Sequence, residues 1–218
     1  FNQKFTTIDF SNNPLIEEID LTNTLEYIPT LTINNLQKLT SLELSQNYNT
    51  NGFEPSGFSY ALKNLTITNN PILKTLNTDY LFGLEKFELS NNGSLANFYY
   101  GFHNFQSNND PNLYKLSNLI IKNNAKLAKI ELDNTKTKTL DLSSNSSLKY
   151  LNLLDNTTLE NLVLNNTIDS VYVDNGRLAA LNLNNKTSLK VLSLKNIETF
   201  SNLNLLNNIN LKTIYIAE

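Results

Sequence analysis

The residues that could catalyse a reaction are scarce in this chain. It has one histidine, His103, and no cysteine, so a Ser-His-Asp arrangement would have to use His103 with Asp110 or a more distant acid. The six glycines form neither a Walker A motif nor a dinucleotide-binding motif, and no nucleophile-elbow pattern surrounds a serine. We therefore predict that His103 is a surface histidine and that the protein is not an enzyme, with no cofactor and no metal.

Aromatic side chains, which are suited to recognition, are unevenly distributed along the chain. Tyrosine and phenylalanine supply large contact areas for protein surfaces and sugar rings. Among the aromatic residues between the third repeat and residue 114 are Phe53, Phe58, Tyr60, Tyr80, Phe82, Tyr99, Tyr100, Phe102, Phe105 and Tyr114. This concentration favours a binding function over a catalytic one.

Composition and charge narrow the classes of partner. Apolar residues make up 40% of the 218 residues and charged residues 17%, which is too apolar for a disordered chain. The formal net charge of −3 gives no support to nucleic acid or an anionic membrane surface as a partner. No apolar run approaches the roughly 20 residues of a membrane span. We predict no nucleic-acid partner and no membrane insertion in this segment.

An internal repeat of eleven residues organises almost the whole chain. Three consecutive units start at Leu140, Leu151 and Leu162, and each reads apolar-x-apolar, then a polar turn with Asn. Two units together give about 22 residues, a length known for the coils of solenoid proteins. In each short strand the two apolar residues face inward, and stacked coils then build a continuous core. The turn asparagines are expected to bond backbone groups of their own and neighbouring coils.

Alternation of the units predicts two series of strands. Two intervals, from Leu42 to Leu65 and from Phe98 to Leu119, are each about two units long. We interpret each interval as a degenerate unit, near Phe53 and near residues 106–109, which gives about ten coils without a long insertion. The first series starts at Ile8, Leu31, Phe53, Leu76, Phe98, Leu119, Leu140, Leu162, Leu181 and Leu203. The second also has ten members and starts at Ile19, Leu42, Leu65, Phe87, the degenerate unit near residues 106–109, Ile130, Leu151, Val171, Leu192 and Ile214.

Two segments carry a resemblance to a known family. LKNLTITNNPI (residues 62–72) fits the pattern L-x-x-L-x-L-x-x-N-x-L at each consensus position, and FTTIDFSNNPL (residues 5–15) fits with conservative exchanges. The chain thus resembles the leucine-rich-repeat family, and its nested unit of about 21–22 residues resembles bacterial surface repeats. The resemblance implies a β-rich solenoid of parallel strands, one domain over residues 1–218 within a longer chain. It also implies binding of proteins or glycans.

The predicted register selects candidate ligand contacts. In this register, three segments become equivalent turns stacked along one edge: residues 54–62, 79–84 and 101–107. We expect a buried phenylalanine spine there, formed by Phe58, Phe82, Phe102 and Phe105. The predicted ligand-binding residues are Tyr60, Tyr80, Tyr99, Tyr100, Ile120 and Val163, and Tyr99 is the best candidate because it is the outward middle residue of its strand. Tyr172 and Tyr215 are the matching outward aromatics on the other sheet.

Acidic residues occupy outward positions of the second series. Asp20, Glu43, Glu88 and Glu131 could together form a cation site or a recognition stripe. Thr66 interrupts this column, and charged side chains on an outward strand surface are ordinarily solvated. We favour solvated charges over a cation site.

Three functions remain open at this point. The repeats favour a binding module for a protein or glycan ligand, secreted or on a bacterial surface. The alternatives are a structural component of an envelope or extracellular assembly, and an intracellular scaffold or effector. Because neither end carries a polar cap, we predict that flanking domains or a partner cover the solenoid ends.

Overall fold

The computed structural model describes residues 5–46, 60–101, 114–174, 176–197 and 199–217. These residues form short strands and one 3-10 helix, Leu25–Tyr27. The strands are β1 Glu18–Asp20, β2 Thr30–Asn34, β3 Ser41–Glu43, β4 Asn64–Thr68, β5 Thr75–Asn77, β6 Lys86–Ser90, β7 Asn97–Tyr100, β8 Asn118–Lys122, β9 Lys129–Asp133, β10 Thr139–Asp141, β11 Tyr150–Leu154, β12 Asn161–Val163, β13 Ser170–Asp174, β14 Ala180–Asn182, β15 Val191–Lys195, β16 Asn202–Asn204 and β17 Thr213–Ala217. Over these ranges, no helix has the length and apolar character that a membrane crossing requires.

Strand pairing makes the chain a solenoid with two columns of strands. Among the described residues, all strand pairs are parallel and join alternate strands. The odd-numbered strands pair as β1-β3-β5 and β7-β9-β11-β13-β15-β17, and the even-numbered strands as β2-β4-β6-β8, β10-β12 and β14-β16. The Thr78 hydroxyl links β5 to β7 by donating to the Tyr99 carbonyl at 3.1 Å. The predicted β-rich solenoid of parallel strands is confirmed.

Two wide sheets lie on opposite sides of this solenoid. We call β2, β4, β6 and β8 the even sheet, and β7 to β17 of odd number the odd sheet. Strands of the even sheet have five residues, while their odd neighbours β1, β3 and β5 have three. From β9 onward the widths are exchanged, because the odd strands have five residues and the even strands three. The broad outward surface therefore changes side midway along the chain.

Alternating burial explains why these residues form strands. In β2, Leu31 and Ile33 are fully buried while Thr30, Thr32 and Asn34 point to solvent. Burial of each leucine stabilises the fold by roughly 1.5–3 kcal/mol. No single coil can shield its own apolar side, so the core is continuous only because the coils stack.

The register differs from the sequence prediction in the middle of the chain. Leu31 pairs with Leu65 and Leu42 with Leu76, and farther along Phe87 pairs with Leu119 and Phe98 with Ile130. The predicted units near Phe53 and residues 106–109 lie outside the described residues, and the strands on either side of them pair directly. The two intervals are therefore insertions, and the described strands number nine odd and eight even instead of ten each.

The insertions misled the prediction because each is about as long as one half-unit. Along the chain, both fall between an odd strand and the following even strand. As a result, Leu65 and Phe87 belong to the column of Leu31. Leu76 and Phe98 belong to the column of Leu42, opposite to the prediction.

A ladder of buried asparagines fixes the turns that follow the even strands. Asn70, Asn92, Asn124 and Asn145 are each fully buried. The Asn124 side chain accepts a hydrogen bond from the Asn92 backbone N–H at 2.9 Å and donates to the Leu89 carbonyl at 2.9 Å. Equivalent bonds recur at the other rungs. The prediction that turn asparagines bond neighbouring coils is confirmed, and the ladder satisfies backbone groups that burial would otherwise leave unpaired.

Candidate functional site

Tyr99 and Tyr100 were both predicted as surface contacts, and the structure separates them. In β7, Tyr99 points outward and is 40% exposed, whereas Tyr100 points into the core and is 2% exposed. Adjacent residues of a strand face opposite sides, so only one of the pair can be outward. The Tyr100 hydroxyl donates to the Leu81 carbonyl at 3.2 Å, and burial raises its pKa. The prediction of Tyr100 as an exposed contact is wrong.

Tyr60 and Tyr80 lie in the equivalent turns between odd and even strands, as predicted. Both are half-buried. The Lys115 ammonium lies 5.9 Å from the centre of the Tyr60 ring, and the Tyr80 ring meets Phe82 edge to face at 5.9 Å. Phe82 is buried, in agreement with a phenylalanine spine. The other predicted spine residues, Phe58, Phe102 and Phe105, lie outside the described residues.

Ile120 and Val163 do not share a face with Tyr99, although one series was predicted for all three. Ile120 is the outward residue of β8 and is half-buried, and Val163 ends β12 with 51% exposure. Both strands belong to the even column, whereas Tyr99 belongs to the odd column. The corrected register therefore moves the two aliphatic candidates to the opposite side of the solenoid.

The predicted acidic column is also divided by the corrected register. Glu88 lies on β6 of the even sheet, while Asp20, Glu43 and Glu131 lie on odd strands. Asp20 accepts hydrogen bonds from Thr22, and these bonds lower its pKa. Glu43 accepts a bond from the Ser45 N–H at 2.9 Å. The four acids do not form a single stripe, and each bonds a local partner or is solvated.

Four tyrosines share the outward surface of the odd sheet, and we call Tyr99, Tyr150, Tyr172 and Tyr215 the tyrosine row. Tyr99 pairs in register with Glu131, Tyr172 with Asn152, and Tyr215 with Ser193. The rings of Tyr150 and Tyr172 lie 5.4 Å apart with a tilt of 38°. Tyr215, in the last strand described, is 53% exposed. The predicted outward orientation of Tyr172 and Tyr215 agrees with the structure.

A lysine joins the first two tyrosines of the row. The Lys129 ammonium lies 5.2 Å from the ring centres of both Tyr99 and Tyr150. Its position is fixed by Glu131, whose carboxylate lies 3.1 Å from the ammonium. The hydrogen bond to Glu131 raises the pKa of Lys129, so the cation persists. Cation–π attraction to Lys129 thus restrains both rings.

One buried carboxyl lies at the end of the same sheet. Asp133, the last residue of β9, is 2% exposed. Burial and the nearby charge of Asp155 raise the pKa of Asp133 to about 7, although hydrogen bonds from Asn134 oppose the shift. Gly101 packs against it so closely that an added Cβ would lie 2.4 Å from the Asp133 carbonyl oxygen. Asp133 is therefore not displayed to a ligand.

Sequence reasoning missed Tyr150 and Lys129. Each immediately precedes the apolar pair of its unit, at a position that the prediction treated as turn. The odd strands begin one residue earlier than the apolar pair, so this position is also outward. The missing signal was the start of the strand, because the residue before the apolar pair is outward in three-residue strands as well, as Thr139 of β10 is.

The described residues present groups that are suited to binding a ligand by surface contacts. His103 and Asp110 lie outside them, so the prediction of a non-catalytic histidine stays a prediction. Within the described ranges, no group of three or more His, Cys, Asp or Glu residues is arranged to hold a metal ion. The odd sheet presents phenol rings, side-chain amides and one cation, Lys129, which is held in place by its ion pair with Glu131.

Comparison with known proteins gives one structural match. No protein-family model and no curated protein matches the sequence. Among solved structures, the chain is similar to the functional domain of InlJ from Listeria monocytogenes, described as including a cysteine ladder. The TM-score is 0.42 and the sequence identity 19%, over 98% of this chain and 52% of the InlJ chain. The chain therefore spans about half the length of that structure.

Proposed function

We propose that this leucine-rich-repeat solenoid is a non-catalytic binding module for a protein or glycan ligand and that the odd sheet is its binding face. The tyrosine row carries the proposal. Tyrosine is enriched at the centres of protein interfaces because a ring buries much apolar area at a small cost in side-chain entropy, while its hydroxyl still forms a hydrogen bond. Here Lys129 already orders two of the rings.

The outward polar groups of the two wide sheets support this choice of face. On the even sheet these groups bond one another, since Asn64 donates to the Thr30 hydroxyl at 3.3 Å and the Thr68 hydroxyl to Asn34 at 3.0 Å. On the odd sheet, aromatic rings remain exposed to solvent. A ligand gains more from covering exposed rings than from displacing polar pairs that are already satisfied.

Printed arrays of glycans and extracellular-matrix proteins test the proposal. The labelled wild type is compared with Tyr99→Ser/Tyr150→Ser/Tyr172→Ser on the odd sheet. The matched control, Thr66→Ser/Ile120→Ser/Val163→Ser, changes the same number of residues in the even column. We expect the tyrosine variant to lose at least about 30-fold in apparent affinity, the effect of a hot spot of about 2 kcal/mol. No array signal for the wild type, or equal losses in both variants, would contradict the proposal.

We also propose that the module acts on a bacterial surface or as a secreted protein. Limited proteolysis of intact source cells, followed by mass spectrometry, tests this localisation. Release of peptides from this chain before lysis is the expected result. Peptides that appear only after lysis would instead support an intracellular scaffold or effector.

A structural role in an extracellular assembly is a second candidate, because apolar side chains are exposed in the last described coil. Ile214 is 50% and Ile216 62% exposed, although equivalent residues of earlier odd strands are buried. Coverage of this end by a partner or flanking domain is part of the same proposal. Sedimentation velocity tests it: mass growth with concentration supports assembly through the ends, while a monomer at all concentrations contradicts it.

A further inference from the structure

Beside the tyrosine row runs a row of lysines at the amino ends of the odd strands. The residues that precede β11, β13, β15 and β17 are Lys149, Asp169, Lys190 and Lys212. They stack in successive coils, because the backbone N–H of each one donates to the carbonyl of the equivalent residue in the preceding coil at 2.7–2.9 Å. We call Lys149, Lys190 and Lys212 the lysine row, and all three side chains are exposed.

The lysine row makes this edge cationic in a protein that is acidic overall. The whole chain has a net charge of −3, whereas the stacked positions hold three lysines against one aspartate. Asp169 bonds Lys190 at 2.5 Å, and that bond lowers the pKa of Asp169. Coils are spaced about 4.8 Å apart, so the remaining lysines lie close enough to act on one ligand.

At the equivalent edge of the even column the charges instead cancel. Lys63 pairs with Glu85 at 3.3 Å, and Lys138 pairs with Glu160 at 3.5 Å. Each cation there faces an anion in the adjacent coil. Excess positive charge is therefore a property of the odd edge and does not follow from the repeat itself.

The orientation of the tyrosine rings distinguishes between two kinds of acidic ligand. Sugar rings stack on aromatic faces, but the faces of Tyr99 and Tyr150 that meet Lys129 are already covered, and Tyr150 packs against Tyr172. The ring faces that meet Lys129 are therefore closed to a sugar, and the ring edges and hydroxyls offer polar contacts to a ligand. Ring edges carry partial positive charge, and phenol hydroxyls donate to carboxylates and carbonyls. These groups suit a polypeptide with acidic side chains better than a glycan.

From the lysine row and the ring orientation, we infer that the odd sheet binds an acidic polypeptide segment laid along the solenoid axis. Its carboxylates meet Lys149 and Lys212, because Lys190 is already paired with Asp169, and its backbone and apolar groups contact the tyrosine row. The inference rests on the proposed binding face and adds the chemical class of the partner.

Fluorescence anisotropy with a fluorescein-labelled Glu-Ser repeat peptide tests the inference at low salt. The Gln-Ser peptide serves as the neutral probe, and an oligogalacturonate as the anionic glycan probe. Lys149→Glu/Lys190→Glu/Lys212→Glu reverses the lysine row, while Lys86→Glu/Lys122→Glu/Lys138→Glu makes the same charge change on the even side. We expect the first variant to bind the acidic peptide at least about 10-fold more weakly and the second to stay within about twofold of the wild type. Added salt should weaken wild-type binding.

Three outcomes would overturn the inference. Equal losses in both variants would show an effect of bulk charge, and equal binding of the two peptides would show that acidity does not matter. Lysine-dependent binding of oligogalacturonate in place of the peptide would assign a glycan ligand. If the peptide fails while the tyrosine-dependent array signal persists, only the ligand class is wrong; if both fail, the proposed binding face is wrong too.

Discussion

The even sheet and the odd sheet are built by the same rule and differ in what they display. Both contain five-residue strands with apolar second and fourth residues, as β4 and β11 show with buried leucine and isoleucine. The outward residues of the even sheet are mainly threonine and asparagine, and several bond one another. The odd sheet displays tyrosines ordered by a lysine. The repeat therefore determines the scaffold, while the outward positions remain free to vary and to carry function.

Removing one rung of the asparagine ladder should have the largest effect, because each rung satisfies buried backbone groups of two coils. Asn124→Ala leaves the buried Asn92 N–H and the Leu89 carbonyl without their partner. At about 1–3 kcal/mol for each unsatisfied buried group, we expect a loss of roughly 2–4 kcal/mol in the free energy of unfolding. Urea denaturation measures this loss. The control Asn152→Ala, on the outward surface of β11, should stay within about 0.5 kcal/mol; equal losses would mean that the ladder adds nothing.

The buried carboxyl of the odd sheet predicts a pH dependence of stability. The pKa of Asp133 is about 7 in the folded protein, above the roughly 3.9 of an unfolded aspartate. The folded state therefore binds more protons, and this contribution to stability is lost as pH rises from about 4 through 7. Asp133→Asn should be more stable than the wild type at pH 8 by about 1–3 kcal/mol and should lose that advantage near pH 4. Parallel pH profiles for the two proteins would contradict the assignment.

Substitution of Lys129 should lower stability by a smaller amount, because it affects only the tyrosine row. Lys129→Gln removes the cation between the Tyr99 and Tyr150 rings and its ion pair with Glu131. We expect a loss of about 0.5–1 kcal/mol in stability, typical of an exposed cation–π contact, measured by thermal unfolding. Lys122→Gln on the even sheet is the matched control and should change stability less. If both changes have the same effect, the rings are not held by the lysine.

The solenoid could be predicted from the sequence because burial imposes a period on the apolar residues. The same periodicity placed Leu140, Leu151 and Leu162 in the core and the turn asparagines in the ladder, and the structure agrees. Register in the middle of the chain could not be obtained by counting, since each insertion matches the length of a half-unit. That error put Tyr99 on the wrong side of the solenoid and hid the fact that it shares a sheet with Tyr150 and Tyr172. Outward contacts follow no period, so only the strand pairing reveals which of them share a face.

Site-specific blocking of each sheet tests the central claim, that the odd sheet is the binding face. Because the chain contains no cysteine, Asn152→Cys on the odd sheet and Thr66→Cys on the even sheet each provide a unique attachment point for a bulky maleimide. Both labelled proteins are applied to the ligand that the arrays identify for the wild type. We predict that the adduct at residue 152 abolishes binding and that the adduct at residue 66 leaves it unchanged. Retained binding with the odd sheet blocked, or loss only with the even sheet blocked, would contradict the account.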